Sequence, residues 1–277
     1  RVAEQLNNDP EYVKEVQGTN PEAFLEVFHK IRPWLNEKVY DLIIHTYTDS
    51  VVRKAEEIYL TGAKSPTLRR VDYESGREVD WDETIDNYTE TMMINNETIV
   101  SKEPSRIKRS LVLMMDQSGS MAGRKILTAA LCTGVLSHAL KDEEFAVLLF
   151  SNKISALKEI NARKDLHKLI REILEQKPEG YTDIKGALNT GLKQMANASF
   201  KTRIGVLITD GIHTTGDPVP TAEEYPALHV LAIPSARGRV VNFENCRRLA
   251  EAGKGKFLVL RNYEDVPSTV LRLLTFD

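Results

Sequence analysis

Cysteine is scarce: Cys132 and Cys246 are the whole complement of a 277-residue chain, and neither sits in a Cys-x-x-Cys pair. That excludes a cysteine-rich zinc site and a dense disulfide framework, and it favours a reducing compartment in which both thiols stay free. No apolar run approaches the length of a membrane span. The opening residues Arg1-Val2-Ala3-Glu4-Gln5 lack signal-peptide character, and their ragged start is compatible with a missing upstream segment. Together these absences set the expectation of a cytoplasmic protein with no membrane partner. Charge of one sign is not in excess either. A formal net charge of -3 and a pI near 6.2 leave no electrostatic footprint for nucleic acid. A Gly-x-x-x-x-Gly-Lys-Ser/Thr loop and a Gly-x-Gly-x-x-Gly fingerprint are also missing after every predicted strand, which argues against a nucleotide site.

What is present suffices for a sizeable core. With 42% hydrophobic residues, one large α/β domain plus a smaller appendage is the natural expectation for this length. The pattern changes near residue 105, which divides the chain into an N-terminal helical region with a connector, 1–105, and an α/β domain, 106–277. Before that point, apolar residues recur at three- and four-residue steps over Pro21 to Ile31 and Trp34 to Leu60, predicting amphipathic helices. Thr61 to Ser105 is polar, with Glu90 to Val100 readable as strand or irregular chain, and is expected to wrap onto the main domain as a connector.

After residue 110, short apolar runs alternate with helical stretches. Leu111 to Met115, Phe145 to Phe150, Ile204 to Thr209, Leu228 to Ile233 and Phe257 to Leu260 are brief and apolar on both faces, as buried parallel strands require. Helical stretches fall near Arg124 to Leu140, Arg163 to Gln176, Asp183 to Ala196, Asn242 to Ala252 and Tyr263 to Leu274. Ile154 to Lys158 follows a short turn and predicts an antiparallel edge strand. Repeated β-then-α order implies right-handed crossovers and a doubly wound, mostly parallel sheet with helices on both faces.

Five residues then stand out: Asp116, Ser118 and Ser120 in Met115-Asp116-Gln117-Ser118-Gly119-Ser120-Met121, Thr182 in Gly180-Tyr181-Thr182-Asp183, and Asp210 in Thr209-Asp210-Gly211. All offer oxygen and none offers nitrogen or sulfur, the ligand chemistry of a hard cation such as Mg²⁺, with Mn²⁺ or Ca²⁺ as alternatives. Doubly wound sheets bind ligands beyond the carboxyl ends of their strands, where the strand order reverses, and the three segments can converge there. Neutral hydroxyls would leave such a cation under-neutralised, so a Glu or Asp of a partner protein is the expected further ligand. Thr182 also suits a helix N-cap without any metal. His213, Asp183 and Asp217 are more economically read as solvated groups, Arg106, Lys108 and Arg109 as a solvated linker, and Met114, Met115 and Met121 as packing.

Asp116-Gln117-Ser118-Gly119-Ser120, Gly180-Tyr181-Thr182 with Ala187-Leu188, and Ile208-Thr209-Asp210-Gly211 together resemble the metal-ion-dependent adhesion site of von Willebrand factor A (VWA) domains, over roughly residues 108 to 277. The resemblance implies that Ser118, Ser120 and Thr182 touch the metal, that Asp116 and Asp210 act mainly through water, and that a partner's acidic residue fills the sixth place. Gly76-Arg77-Glu78-Val79-Asp80-Trp81-Asp82-Glu83-Thr84, ahead of Arg106-Ile107-Lys108-Arg109, resembles the approach to the domain in CoxE-like bacterial and archaeal proteins. Those are associated with MoxR-type AAA+ ATPases, which implies an adaptor role in protein maturation or metal-cofactor insertion. The expectation is therefore a non-enzymatic, metal-dependent protein-interaction module. A metal-dependent hydrolase would want a general base, paired metals or carboxylate-rich ligation. An RNA-binding VWA protein with a helical module would want a basic and aromatic platform. The sequence offers neither clearly.

Overall fold

Two Asx-Pro steps begin the fold. In the computed structural model, Asp9 accepts a hydrogen bond from the Tyr12 amide and Asn20 one from the Ala23 amide, each with proline as the first helical residue. Such a residue caps free amides while proline, which has no amide hydrogen to leave unpaired, presets the helical φ. The structure describes residues 1–62, 68–72, 78–79, 81–95, 98–104, 108–121, 124–140, 143–177, 179–234, 241–261, 265–266, 269 and 272–273. Most of the expected terminal helix, Tyr263 to Leu274, lies outside them.

The elements run α1 (Val2–Asn8), α2 (Pro10–Thr19), α3 (Pro21–Ile31), a 3₁₀ turn (Arg32–Trp34) and α4 (Glu37–Gly62). Then come β1 (Leu68–Asp72), β2 (Glu78–Val79), α5 (Trp81–Thr91) and β3 (Val100–Pro104). The remainder is β4 (Arg109–Asp116), a 3₁₀ turn (Gly119–Met121), α6 (Arg124–Ala139), β5 (Glu144–Phe150), β6 (Ile154–Lys158), α7 (Leu166–Glu175), α8 (Ile184–Ala196), β7 (Thr202–Thr209), α9 (Val219–Glu223), β8 (Leu228–Ala232), α10 (Phe243–Ala252) and β9 (Phe257–Val259).

These elements form two units, one of Arg1–Gly62 with Arg109–Asp277 and one of Ala63–Lys108. The grouping differs from a division at residue 105, because apolar residues of α3 and α4 share a core with the large sheet. In the small unit, β1, β3 and β2 make an antiparallel sheet in that order, with Asp72 opposite Val100 and Val79 opposite Ser101. Where Glu90 to Val100 was expected as strand or irregular chain, α5 runs on to Thr91 and β3 starts at Val100. The Thr84 hydroxyl accepts the Val100 amide at 3.0 Å, tying that helix to that strand.

In the large unit the six-stranded sheet has the order β6-β5-β4-β7-β8-β9, parallel throughout except for β6, which pairs antiparallel with β5 as an edge strand. The architecture is the expected doubly wound α/β sheet with N-terminal helices. β4 shows why both faces must be covered, since alternate residues point to opposite sides. Leu111, Leu113 and Met115 join one core with Phe24, Phe28, Ile43, Tyr47 and residues of α6 and α7. Val112 and Met114 join the other with Ile184, Leu188, Tyr225 and Leu249.

Helix α6 approaches α4 so closely at Gly134 that a Cβ there would lie 2.8 Å from the Ala55 Cβ. Real Cβ atoms do not tolerate that spacing, so Gly134→Val should force the helices apart and destabilise the fold by about 1–3 kcal/mol. Urea denaturation followed by circular dichroism checks this, and an unchanged midpoint would contradict the seating of α4 on α6.

Candidate metal centre

Chain connections leave β4 toward β5 and β6 on one side and later return to β7, β8 and β9 on the other. The order therefore reverses between β4 and β7, which pair in parallel with Met115 opposite Ile208. Asp116 is the last residue of β4, and Asp210 directly follows β7, so two carboxylates leave the sheet at adjacent carboxyl ends.

Both are almost fully buried, Asp116 at 2% exposure and Asp210 at 1%. One Asp116 oxygen accepts the Ser118 amide at 2.8 Å and the other accepts the Thr209 hydroxyl at 2.8 Å. Burial pushes the Asp116 pKa up to about 6, opposed by hydrogen bonds from the Ser118 side chain and backbone and from Thr209, and reinforced by the negative charge of Asp210. Asp210 accepts the Ile212 amide at 3.3 Å through Oδ1 and meets the Lys125 ammonium at 3.0 Å through Oδ2. Gly211 makes the turn after β7 possible. Its φ is 77°, and a Cβ would lie 2.4 Å from the Asn242 carbonyl and 2.6 Å from Cys246 Sγ.

The third segment is tied to both strand ends. The Thr182 amide donates to the Thr214 hydroxyl at 3.1 Å, and the Thr182 carbonyl accepts from the Thr214 amide at 3.0 Å. On the opposite side the Asp183 amide donates to the Ser151 carbonyl at 3.0 Å and the Glu179 amide to the Gln117 carbonyl at 3.1 Å. The helix cap is Asp183, whose side chain accepts the Gly186 amide at 2.8 Å, so the capping role open to Thr182 is filled by its neighbour. Thr182 is buried at 4% exposure and Ser118 at 3%. The side chain of Ser120 lies outside the described residues; its backbone belongs to the Gly119–Met121 turn.

Four of the five oxygen residues are thus gathered at one rim by Asp116, Ser118, the Thr182 loop and the β7 turn. Beside it opens a polar cleft of about 710 Å³ lined by Arg32, Gln117, Ser151, Asn152, Lys153 and Gly180 among others. Other candidates resolve as structure: His213 Nδ1 lies 3.1 Å from Asn245 Nδ2, Asp217 accepts the Val219 amide, and Arg109 pairs with Glu143. Met114, Met115 and Met121 are fully buried packing. Arg106 lies outside the described residues, as does most of Gly76 to Asp80. Three residues at the rim were not picked out from sequence: Lys125, Thr209 and Cys246. Cys246 and Cys132 are free buried thiols, and burial pushes each up to about 12, with the charges of Asp210 and Asp116 adding to the effect on Cys246. Among the described residues, no group of three or more His, Cys, Asp or Glu is placed to hold a metal ion, so a cation here would depend on hydroxyls as well as carboxylates.

The family model of the VWA domain containing CoxE-like protein matches residues 51–233. The chain belongs to this family. The solved VWA domain from Catenulispora acidiphila is similar at 18% identity and a TM-score of 0.51, covering 62% of this chain and 43% of that one. An aerotolerance-related membrane protein from Bacteroides fragilis is similar at 17% identity and a TM-score of 0.51, covering 60% of this chain and 98% of the other. Inter-alpha-trypsin inhibitor heavy chain H3 of Mesocricetus auratus is 27% identical over 128 residues, 41% of this chain. This chain spans only 14% of that relative's length. At these identities the solved structures carry the VWA fold and nothing finer. No helix among the described residues is long and apolar enough to cross a membrane.

The Asp116 carboxyl of this VWA domain holds its proton more tightly folded, at about 6, than its ordinary value of 3.8. A raised acid pKa contributes stability that is fully present below the unfolded value and is lost as pH rises through the folded one. In chelator, stability should therefore decline between about pH 4 and pH 6, by roughly 3 kcal/mol at most from this group. Asp116→Asn should flatten that decline in denaturant titrations across the same range, and a slope unchanged by the substitution would contradict the assignment.

Proposed function

We propose that this VWA domain is a divalent-cation-dependent protein-interaction module without catalytic activity. The observation that carries the reading is the burial of Asp116, Ser118, Thr182 and Asp210 around one rim at the sheet's switch point. The proposed donor set of carboxylates and hydroxyls fits a hard cation.

Ser118, Ser120 and Thr182 would hold the ion directly, with Asp116 and Asp210 supplying charge. A bound Mg²⁺ or Mn²⁺ supplies an under-neutralised positive centre that attracts an incoming carboxylate. The chain's own residues do the rest. The amide of Ser118 and the hydroxyl of Thr209 fix both oxygens of Asp116, so the rim needs little rearrangement on binding. The cleft beside the rim is mixed in charge, lined by Arg32, Lys153 and Lys177 and by Glu175 and Glu179. Ligand and cation would then bind cooperatively, each completing the other's environment.

The partner is proposed to present Glu or Asp, and membership of the CoxE-like family supports a MoxR-type AAA+ ATPase as its class. The setting proposed is a cytoplasmic adaptor in protein maturation or metal-cofactor insertion.

Isothermal titration with Mn²⁺ tests the metal, and capture from native lysate in Mg²⁺ against EDTA tests the partner. Asp116→Asn should abolish cation binding and metal-dependent capture while the far-ultraviolet spectrum stays intact. Unchanged capture in both EDTA and the variant would refute the reading. Thr182→Ala should weaken Mn²⁺ binding less than Asp116→Asn does, because water replaces a neutral hydroxyl more readily than a charge.

A further inference from the structure

A lysine is an odd residue to find at the start of α6. The amino end of a helix carries the positive end of the backbone dipole, which favours acidic side chains and disfavours cations. The first turn of α6 nevertheless holds no acidic residue and carries Lys125. Its side chain is 5% exposed, so the charge is withdrawn from water as well. Both penalties are offset at one place, where Nζ meets Asp210 Oδ2 at 3.0 Å across 85 residues of sequence. A conflict with local preference that persists in a buried position marks a functional constraint.

We propose that Lys125 is a tethered counter-ion that sets the divalent affinity of the rim by holding Asp210. This inference rests on the metal reading above. Two ionised carboxylates, Asp116 and Asp210, and one ammonium leave the pocket with a single net negative charge. A divalent cation entering it must share Asp210 with Nζ or displace it, and it meets the repulsion of the ammonium at short range. Once seated, the ion and Lys125 together exceed the charge of the two carboxylates, and the excess is available to an anionic ligand. Lys125 therefore weakens capture of the bare cation and strengthens the demand for an acidic partner. It is a positioning residue, acting on the metal site through Asp210.

The test is calorimetric titration of the full chain with Mn²⁺, comparing the wild type with Lys125→Met, Lys125→Gln and Lys125→Arg. Lys125→Met removes the charge and keeps an unbranched stem of similar length. Lys125→Gln removes the charge and keeps a donor for Asp210, so it decides the matter should the methionine variant fail to fold by circular dichroism. Both should bind Mn²⁺ at least about tenfold more tightly than the wild type, whereas Lys125→Arg, which restores the charge, should stay near it. Equal or weaker binding in the neutral variants, with the wild type binding normally, overturns the role of Lys125 and leaves the metal reading standing. An arginine variant shifted as far as the neutral ones also overturns it, since shape rather than charge would then be responsible. Should neither the wild type nor any variant bind Mn²⁺, the metal reading itself fails and takes this inference with it.

Discussion

The parallel pairing of β4 with β7 is the constraint on which the rest depends. The connections on either side of this pair run to opposite ends of the sheet, the arrangement that leaves a crevice at the carboxyl ends of the two strands. Each strand ends in a carboxylate, and two carboxylates at 1–2% exposure are costly unless donors and cations surround them. The local chain supplies those donors in kind: the Ser118 and Ile212 amides, the Thr209 hydroxyl and the Lys125 ammonium. Remove the adjacency of the two strands and neither the cost nor its compensation would arise.

Much of this was legible from residues alone. Buried parallel strands are short and apolar on both faces, and that signature located β4, β5, β7, β8 and β9 to within two residues at each end. The antiparallel edge strand β6 was found from its tight turn after β5, and α8 from the polar loop before it. The placement of Asp116, Ser118, Thr182 and Asp210 followed from a general property of doubly wound sheets. By contrast, α1 and α2 went unread although Asp9-Pro10 and Asn20-Pro21 both carry the cap-and-proline signal of a helix start. Their apolar residues are few, so periodicity alone did not reveal them. The polar stretch from 63 to 108 hid a helix and an antiparallel sheet because strands of two to five residues are too brief to show alternation. Lys125 was invisible for a different reason: its significance is a contact across 85 residues, which no local pattern encodes.

The N-terminal helices are structurally part of the sheet's own core. Phe24, Phe28, Ile43 and Tyr47 pack in the same cluster as Leu111, Leu113 and Met115 of the central strand. A VWA sheet needs helices on both faces, and here α3 and α4 join α6 and α7 in covering one of them. The helical segment that precedes the domain in sequence is therefore a layer of the domain in space. Arg32, at its first turn after α3, also reaches the cleft beside the rim and donates to the Glu175 carbonyl at 2.7 Å.

The close approach of Gly134 to Ala55 has a bearing on the rim some distance away. Nine residues separate Gly134 from Lys125 along α6, a span of about 14 Å at the helical rise. A rod held along its length by backbone-to-methyl contact resists sliding along its axis, so packing against α4 helps register the ammonium at its head. The tolerance of an ionic site is here machined by a joint that contains no charge.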